Sequence, residues 1–514
     1  MLGVIGISLL AWGLATATMV IVTSRTTSRS SAAFNAALPT ISDLLAKAVC
    51  SVPRNSDVSI AQAMNELDDQ TCSLSRLHAG KGDHSVTAAL NASYEALPAD
   101  QARAYRLLGI HPGLSFDVEA AAALLDDEQD HAEELLDSLV DAHLLEQELP
   151  GRYRFHDLAR LHARAKSEEE HTAAERTSVF LRMAEWYLRT AAAADLRLLP
   201  GRWRLGAAYA EPRSWEFPVR ETALTWLERE QPTLMAIAQQ AHRLERHNLT
   251  WQIIEAMWAL FLHRKHYQQW IAAHELGLAA AKREANLAAQ ARMLEGLGMA
   301  YLNVQDFSAA RQRFGIAMLL EDQANHPIGE ATCLEGLGLV EHATGNLPRA
   351  LDLFTRARDL NVRLDHQRGA ALMRRHIGEV MADLGRYDEA IDNLTQALDY
   401  FTHVDEPYHQ ARSLACLGRA MLLAGRGADA ATALHDALST ARQAGARHEE
   451  ANILRALAAV AAHAHDPAAE RAYLEDAHTI YTALSAPQAD EVKARLDELV
   501  SAPAAPKRPT DPPE

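Results

Sequence analysis

The chain has 514 residues, 48% of them apolar, which is enough for roughly three domains with buried cores. Its 50 basic and 68 acidic side chains give a formal charge of −18, which disfavours a nucleic-acid partner unless basic residues cluster locally. The four cysteines lack metal-type spacing, and no set of carboxylates accompanies the 24 scattered histidines. We therefore expect no metal site and a reducing compartment.

The first 24 residues carry no charged side chain and are followed by Arg25 and Arg29. A helix of that length can span a bilayer, and the arginines would then hold the rest of the chain in the cytosol. Alternatively, residues 19–25 form a buried strand of a soluble domain. Both alternatives predict a cytoplasmic body. Residues 25–82 begin with a Ser/Thr-rich piece and predict only weakly amphipathic helices, as expected for an incomplete domain.

Residues 83–165 predict several helices closed by a β-hairpin at Pro150-Gly151, the element order of a winged helix. The predicted helices cover residues 83–94, 98–108, 117–125 and 132–143. The helix that would enter a DNA groove, within residues 131–143, has no Lys or Arg. It carries four carboxylates, which phosphate would repel: Glu133, Glu134, Asp137 and Asp141. We therefore expect no direct reading of DNA by this helix.

The next segment, residues 166–247, predicts a helical connector with the aromatic anchors Trp186, Tyr187 and Trp226. A loop that contains Pro, Gly and Trp interrupts it near residues 199–219. The chain ends in residues 501–514, where proline and charge predict a disordered tail.

Between connector and tail, residues 288–487 repeat with a period of 40, and residues 248–287 resemble a divergent first unit. The repeated positions hold a small residue at Gly298, Gly338, Gly378, Gly418 and Ala458, and a large one at Phe314, Phe354, Leu394, Leu434 and Leu474. Apolar residues recur at three- and four-residue steps, so each unit predicts two helices joined by a turn. The spacing in residues 297–317, Leu-Gly-x2-Tyr-x8-Ala-x3-Phe-x2-Ala, resembles the tetratricopeptide (TPR) pattern. The TPR family has a period of 34, and we assign the six extra residues to a longer second helix and connection.

The fold class is therefore mainly α, with a winged-helix-like domain followed by a TPR-type right-handed α-solenoid over residues 248–500.

The order of these parts resembles the carboxyl-terminal half of STAND-class (NB-ARC type) bacterial regulators of the antibiotic regulatory protein kind. The resemblance covers about residues 60–500. It rests on the TPR array and on the motifs at residues 93–98 (Ser-Tyr-Glu-Ala-Leu-Pro), 152–158 (Arg-Tyr-Arg-Phe-His-Asp-Leu), 191–195 (Ala-Ala-Ala-Ala-Asp) and 226–228 (Trp-Leu-Glu). It implies that residues 25–82 are a remnant of a nucleotide-binding domain and that the TPR array senses a partner.

The same resemblance places His156 at the position of the family's sensor histidine, which touches the β-phosphate of bound ADP. The sequence has no Gly-x4-Gly-Lys-Ser/Thr phosphate loop, since its nearest approach, Gly80-Lys81, is followed by Gly82. We therefore expect no bound cofactor. A second interpretation of His156 is a hairpin residue that packs on the next helix.

No catalytic constellation stands out in the sequence, so we expect no enzyme activity. The leading hypothesis is a regulatory scaffold that binds a peptide or protein in the concave groove of its TPR superhelix. One alternative is a degenerate STAND-type regulator that responds to ADP or ATP through another chain; another is a DNA-binding transcription factor.

In a TPR superhelix the groove is lined by four positions of each first helix, here 292, 295, 299 and 302 and their equivalents in the later units. The early units give Arg292, Glu295, Glu335 and His342, and the later ones give the predicted partner-binding residues Arg375, Glu379, Arg412, Arg419, Asn452 and Arg455. Four arginines opposed only by Glu379 predict a positive strip that would bind an acidic peptide. The alternative is that these arginines pair with neighbouring carboxylates.

Overall fold

The computed structural model describes residues 86–210 and 217–501. The predictions for residues 1–24, for residues 25–82 with Gly80-Lys81, and for the tail beyond Ser501 lie outside this part of the chain. Among the described helices, none is both long and apolar enough to cross a membrane.

The first described elements agree in order with the helices and hairpin expected from the sequence. They are α1 (Val86–Glu95), α2 (Ala99–Leu108), β1 (Ser115–Asp117), α3 (Val118–Leu125), α4 (Gln129–Asp141), β2 (Glu146–Leu149), β3 (Arg152–Arg154), α5 (Asp157–Glu170) and α6 (Ala173–Leu198). Residues 86–110 and 127–173 form one compact unit, and residues 111–126 and 174–501 form a second. The predicted helix 117–125 thus groups with the second unit, and a winged helix over residues 83–165 stays a prediction.

The smaller unit is held by side chains that join its helices to its hairpin. The Tyr105 hydroxyl of α2 donates a hydrogen bond of 2.9 Å to the carbonyl of Ala159 in α5. The Tyr153 hydroxyl of β3 donates to Asp137 of α4 at 2.6 Å. Strands β2 and β3 pair antiparallel around Gly151, whose φ of +72° a glycine adopts without strain. The hairpin expected from Pro150-Gly151 is confirmed.

The second unit continues with a short 3₁₀ turn at Ala207–Ala210 and then only helices. They are α7 (Arg220–Arg243), α8 (His247–Ala256), α9 (Trp258–Arg264), α10 (Tyr267–Arg283), α11 (Leu287–Asn303), α12 (Phe307–Gln323), α13 (Pro327–Ala343), α14 (Leu347–Arg363), α15 (Gln367–Asp383), α16 (Tyr387–His403), α17 (Pro407–Leu423), α18 (Gly427–Gln443), α19 (Arg447–His463), α20 (Pro467–Ala483) and α21 (Gln488–Ser501). From α10 to α21, each helix packs on the next one. This is the TPR-type α-solenoid expected from the sequence.

The repeat period results from two helices of equal length in each unit. Helices α11 and α12 have 17 residues each, and so do those that follow them through α20. The second helix continues beyond Ala317 to Gln323, as expected, but it is no longer than the first. The extra residues relative to the TPR pattern therefore do not lengthen the second helix alone.

From α10 to α21, every link between consecutive helices contains one residue with positive φ. These residues are Ala285, Gln305, Asn325, Gly345, Asp365, Gly385, Asp405, Gly425, Gly445, His465 and Ser485. A residue with positive φ directly after a helix turns the chain back, so that the N–H groups that follow donate to the last carbonyl groups of the helix. The turn predicted between the two helices of each unit is confirmed, and in three units it contains a glycine with positive φ: Gly345, Gly385 and Gly425.

Candidate protein-interaction groove

The groove is formed by the first helices of the repeat units, α11, α13, α15, α17 and α19. First helices of successive units contact each other directly. This is expected on the inner face of a solenoid, because the inner helices converge. The predicted groove positions lie on these helices.

Ion pairs and hydrogen bonds link the inner helices from one unit to the next. Arg292 of α11 pairs with Glu255 of α8 at 3.2 Å and with Glu295 on its own helix at 3.0 Å. His376 of α15 lies 3.2 Å from Glu335 of α13. The groove wall is therefore polar and densely paired.

Arg375 and Glu379 form the centre of this network. Arg375 is only 1% exposed, and its Nη1 lies 3.1 Å from Glu379 Oε1. Glu379 also lies 3.1 Å from His376 Nδ1 and accepts from the Cys416 thiol at 2.7 Å. Burial raises the pKa of Glu379, but Arg375 and His376 outweigh it and hold the pKa well below its usual range. Arg375 and Glu379 are thus an ionised pair within the wall.

The other predicted arginines also have carboxylate partners. Arg412 lies 3.7 Å from Glu449, Arg419 lies 2.8 Å from Asp383, and Arg455 lies 3.3 Å from Glu491. The expectation that only Glu379 opposes the four arginines is therefore wrong. Each of these arginines pairs with a carboxylate of a neighbouring unit or helix. These carboxylates do not occupy the repeated groove positions, so the repeat pattern alone does not reveal them.

Asn452 completes the set of predicted groove residues. Its Nδ2 donates to Glu449 Oε2 at 3.1 Å, and its Oδ1 accepts from the Tyr481 hydroxyl at 2.6 Å. The structure thus brings Arg412 and Asn452 together at one carboxylate, Glu449. Arg419 and Arg455 lie farther along the wall, and their side chains are 43% and 45% exposed. They remain accessible to a partner.

One stretch of the connector, residues 200–208, lies against the inner wall; we call it the groove loop. The backbone N–H groups of Leu205 and Gly206 donate to the two oxygens of Glu255 at 3.0 and 2.8 Å. The Ala208 N–H donates to Gln252 at 3.2 Å, and the Trp203 carbonyl accepts from Arg292 at 3.2 Å. Side chains of α8 and α11 thus hold the backbone of an irregular segment.

The side chains of the groove loop also contact the wall. Arg202 lies 3.1 Å from Asp195 of α6 and over the ring of Trp258, at 5.1 Å from its centroid. Trp203 packs on the His326 ring at 4.6 Å, and the Arg292 guanidinium lies over it at 5.0 Å. Cations over aromatic faces are attracted by the ring quadrupole, most strongly where water is excluded. The sequence predicts a loop here but not its location, because neither its composition nor its spacing indicates what it contacts.

A cavity of about 130 Å³ remains beside the groove loop, lined by Arg202, Trp203 and residues of the inner helices. Three buried polar atoms of its lining residues have no hydrogen-bond partner among the described residues: Arg375 Nε, His366 Nε2 and His409 Nδ1. The interior of the groove is therefore not completely packed.

Helix α9 crosses from the start of the array to its later units. The His263 ring packs on Tyr408 of α17 at 4.8 Å, and Arg264 donates to the carbonyl of Gly445. Burial lowers the pKa of His263 to about 4 and that of Lys265 to about 8. Helix α9 therefore contacts α17 and the turn before α19.

His156 lies in the smaller unit, directly before α5, with a side chain that is 66% exposed. Its Nε2 is 2.6 Å from Glu146 Oε1 of β2.

The four carboxylates of α4 that are expected to repel DNA phosphate are all exposed: Glu133, Glu134, Asp137 and Asp141. Within the described residues, no group of three His, Cys, Asp or Glu side chains could hold a metal ion.

Comparison with known proteins identifies the repeat type. The family model for the tetratricopeptide repeat matches residues 367–443. A regulatory protein AfsR from Streptomyces griseus is 42% identical over 178 residues, which are 34% of this chain and 18% of that protein. Its counterpart from Streptomyces coelicolor is 38% identical over 199 residues, which are 38% of this chain and 20% of that protein. The aligned region thus spans about a fifth of the length of these relatives.

Among solved structures, a STAND protein with a tetratricopeptide repeat sensor from Pyrococcus horikoshii is 12% identical. The alignment covers 82% of this chain and 62% of that one, with a TM-score of 0.43. The period, the paired helices and the family match agree: residues 367–443 are tetratricopeptide repeats within a longer TPR-type array.

Proposed function

We propose that this chain is a regulatory scaffold that binds a protein or peptide partner in its TPR groove. The carrying observation is that polar side chains at repeated inner positions hold a peptide backbone, as Glu255 and Arg292 hold the groove loop. An inner wall that satisfies the hydrogen bonds of an irregular segment is equipped to bind an extended peptide. The regulatory part of the proposal is supported by the sequence similarity to the two AfsR regulatory proteins.

The later units of the array favour an acidic partner, provided that its carboxylates exchange with those already paired to the groove arginines. Arg412, Arg419 and Arg455 lie on one inner wall, and Arg419 and Arg455 are nearly half exposed. Because each already pairs with a carboxylate, a partner's carboxylates have to replace or share those partners. We therefore retain the acidic peptide as the expected ligand of residues 372–460, bound by exchange of ion pairs.

The test selects peptides from a displayed random library with the full chain and measures their affinity by calorimetry. The variant Arg419→Glu with Arg455→Glu reverses two half-exposed groove charges. The matched control, Arg349→Glu with Arg471→Glu, reverses two similarly exposed charges on the second helices α14 and α20.

The groove variant is expected to lose about 10-fold or more in affinity, since charge reversal at an interface creates repulsion. The control is expected to bind as the unmodified protein does. Equal affinities of all three proteins, or a loss confined to the control, would contradict binding in the groove.

A further inference from the structure

The groove loop is bound in the way a peptide ligand is bound. Three of its N–H groups and one of its carbonyl groups are hydrogen-bonded to side chains of the wall, and no strand or helix supplies those bonds. Its Gly201 lies against the buried Arg368–Glu406 pair, where an added Cβ would be 3.0 Å from Arg368 Cδ. The loop therefore contacts inner side chains in succession, from those of α8 to Glu406 directly before α17.

The wall residues that hold the loop occupy the repeated inner positions. Gln252 and Glu255 precede Arg292 and Glu295 by one repeat period each, and all four contact the loop or pair with a residue that does. The same two positions carry Arg375 in α15 and Asn452 in α19. The loop thus fills the first part of a binding surface that continues along the array.

In the first part of the groove, buried carboxylates are neutralised by arginines of the loop. Asp195 is fully buried, and it contacts Arg202 at 3.1 Å and Arg204 at 2.7 Å. Burial raises the pKa of Asp195, but Arg204 and Arg202 outweigh it and lower the pKa below its usual value. Glu255 and Glu295 are also buried. If the loop left, Asp195 would lose both arginines that pair with it, and Glu255 would keep only Arg292 among the described residues. Uncompensated buried charge is strongly unfavourable.

We propose that the groove loop is an internal ligand of the first part of the groove and that a partner displaces it with a cationic–aromatic segment. The partner segment supplies one or two basic side chains to Asp195 and Glu255, and an aromatic ring to His326 and Arg292. An acidic segment does not fit there, because it would add negative charge beside the buried carboxylates of Asp195 and Glu255. This inference rests on the proposed function and specifies the partner's chemistry and the regulation of the same groove.

The probe is a synthetic peptide with the sequence of residues 199–209, Leu-Pro-Gly-Arg-Trp-Arg-Leu-Gly-Ala-Ala-Tyr. It is titrated into the full chain and into a loop variant, Arg202→Ser, Trp203→Ser and Arg204→Ser. We expect binding to the loop variant and affinity weaker by about 10-fold or more for the unmodified chain, because the tethered loop competes at high effective concentration. A control peptide with glutamate in place of both arginines is expected not to bind.

Equal affinity for both proteins, absence of binding to the folded loop variant, or equal binding of the control peptide would overturn the proposal. Far-ultraviolet circular dichroism shows whether the loop variant folds. If it does not, the unmodified chain still provides the test by hydrogen exchange. The amides of Leu205 and Gly206 are expected to exchange slowly and to lose protection with excess probe, and unchanged protection would overturn displacement.

The probe-peptide experiment can fail independently of the library experiment that tests the proposed function. Library-selected peptides that require Arg419 and Arg455, together with no effect of the cationic–aromatic probe, would remove this inference and leave the groove as a partner site. Failure of both experiments would remove both proposals.

Discussion

Gly338 and Phe354 lie in direct contact across the two helices of one repeat unit: a Cβ atom on Gly338 would be 2.5 Å from Cε1 of Phe354. The same contact occurs in each unit that has glycine at this position, between Gly298 and Phe314, Gly378 and Leu394, and Gly418 and Leu434. The small residue of the first helix and the large residue of the second are therefore two halves of one packing contact, which recurs once in each of these units.

Substituting Gly378 with leucine is expected to destabilise the protein. A Cβ there would lie 2.6 Å from Leu394 Cγ and 3.0 Å from the Ala390 carbonyl, so helices α15 and α16 have to separate. Overpacking costs about 1–3 kcal/mol or more. Thermal unfolding of the full chain measures the change, and Gly315→Ala is the control, since nothing lies within 4 Å of its Cβ position. A melting temperature unchanged by Gly378→Leu would contradict the contact.

The repeat architecture could be predicted from the sequence because it is encoded locally and repeated. The small and large residues at the positions of Gly298 and Phe314 recur at fixed spacing, and Gly345, Gly385 and Gly425 mark the turns of the three middle units. A single sequence is sufficient for this, since five units repeat the same information.

The charge balance of the groove and the position of the connector loop could not be predicted in the same way. Arg419 meets Asp383 of the preceding unit, and Trp203 meets His326 from far along the chain. Such contacts depend on how helices turn relative to one another, which periodicity does not specify. The repeated inner positions alone therefore overestimate the positive charge that is free to bind a partner.

Acidification is expected to destabilise the protein through His263. Burial lowers the pKa of His263 from 6.5 to about 4, so between these values the unfolded chain binds more protons than the folded one. The free energy of unfolding must then fall as pH falls from 6.5 to 4. His263→Phe keeps a ring against Tyr408 and removes this proton uptake.

Urea unfolding between pH 4 and 7.5 measures the effect. The slope of stability against pH is expected to be shallower in His263→Phe than in the unmodified protein. His435→Phe, which replaces an exposed histidine of α18, is expected to leave the slope unchanged. Identical slopes in all three proteins would show that His263 makes no contribution.

The buried pair of Arg368 and Glu406 is expected to be sensitive to the loss of one partner. Arg368 Nε lies 2.8 and 3.0 Å from the two oxygens of Glu406, and both side chains are buried. Arg368→Ala leaves a buried carboxylate without its cation, which costs about 3–5 kcal/mol. Arg471→Ala, at an exposed pair with Glu475, is expected to cost at most about 1 kcal/mol.

Urea unfolding compares the two variants with a third, in which Arg368→Met is combined with Glu406→Gln. The double variant is expected to recover part of the stability, because no uncompensated charge remains. Equal effects of Arg368→Ala and Arg471→Ala would contradict a buried ion pair.

Nucleotide is expected neither to bind at micromolar concentration nor to be hydrolysed. The sequence lacks the glycine-rich loop and Lys-Ser/Thr pair that cradle phosphates and Mg²⁺. Calorimetry with ADP and ATP, and release of inorganic phosphate, test the two statements. Tight binding would reverse the expectation and favour the nucleotide-responsive alternative; His156→Ala would then show whether the predicted sensor position takes part.

The acidic-partner proposal predicts opposite effects for two variants of the groove wall. Asp383 accepts from both Arg419 and His342, at 2.8 and 2.7 Å. Asp383→Asn leaves the Arg419 guanidinium without its carboxylate, so affinity for an acidic peptide probe, such as a short oligoglutamate, is expected to rise. Arg412→Glu together with Arg419→Glu is expected to abolish that affinity.

Salt provides the second measurement at the same site. Exposed charge pairs weaken as ionic strength rises, since counter-ions screen them. The gain from Asp383→Asn and the loss from Arg412→Glu with Arg419→Glu should therefore both shrink at high salt. Undiminished probe binding by the double variant, or an affinity that is insensitive to salt, would mean that these arginines stabilise the array through Asp383 and Glu449 and do not bind the partner.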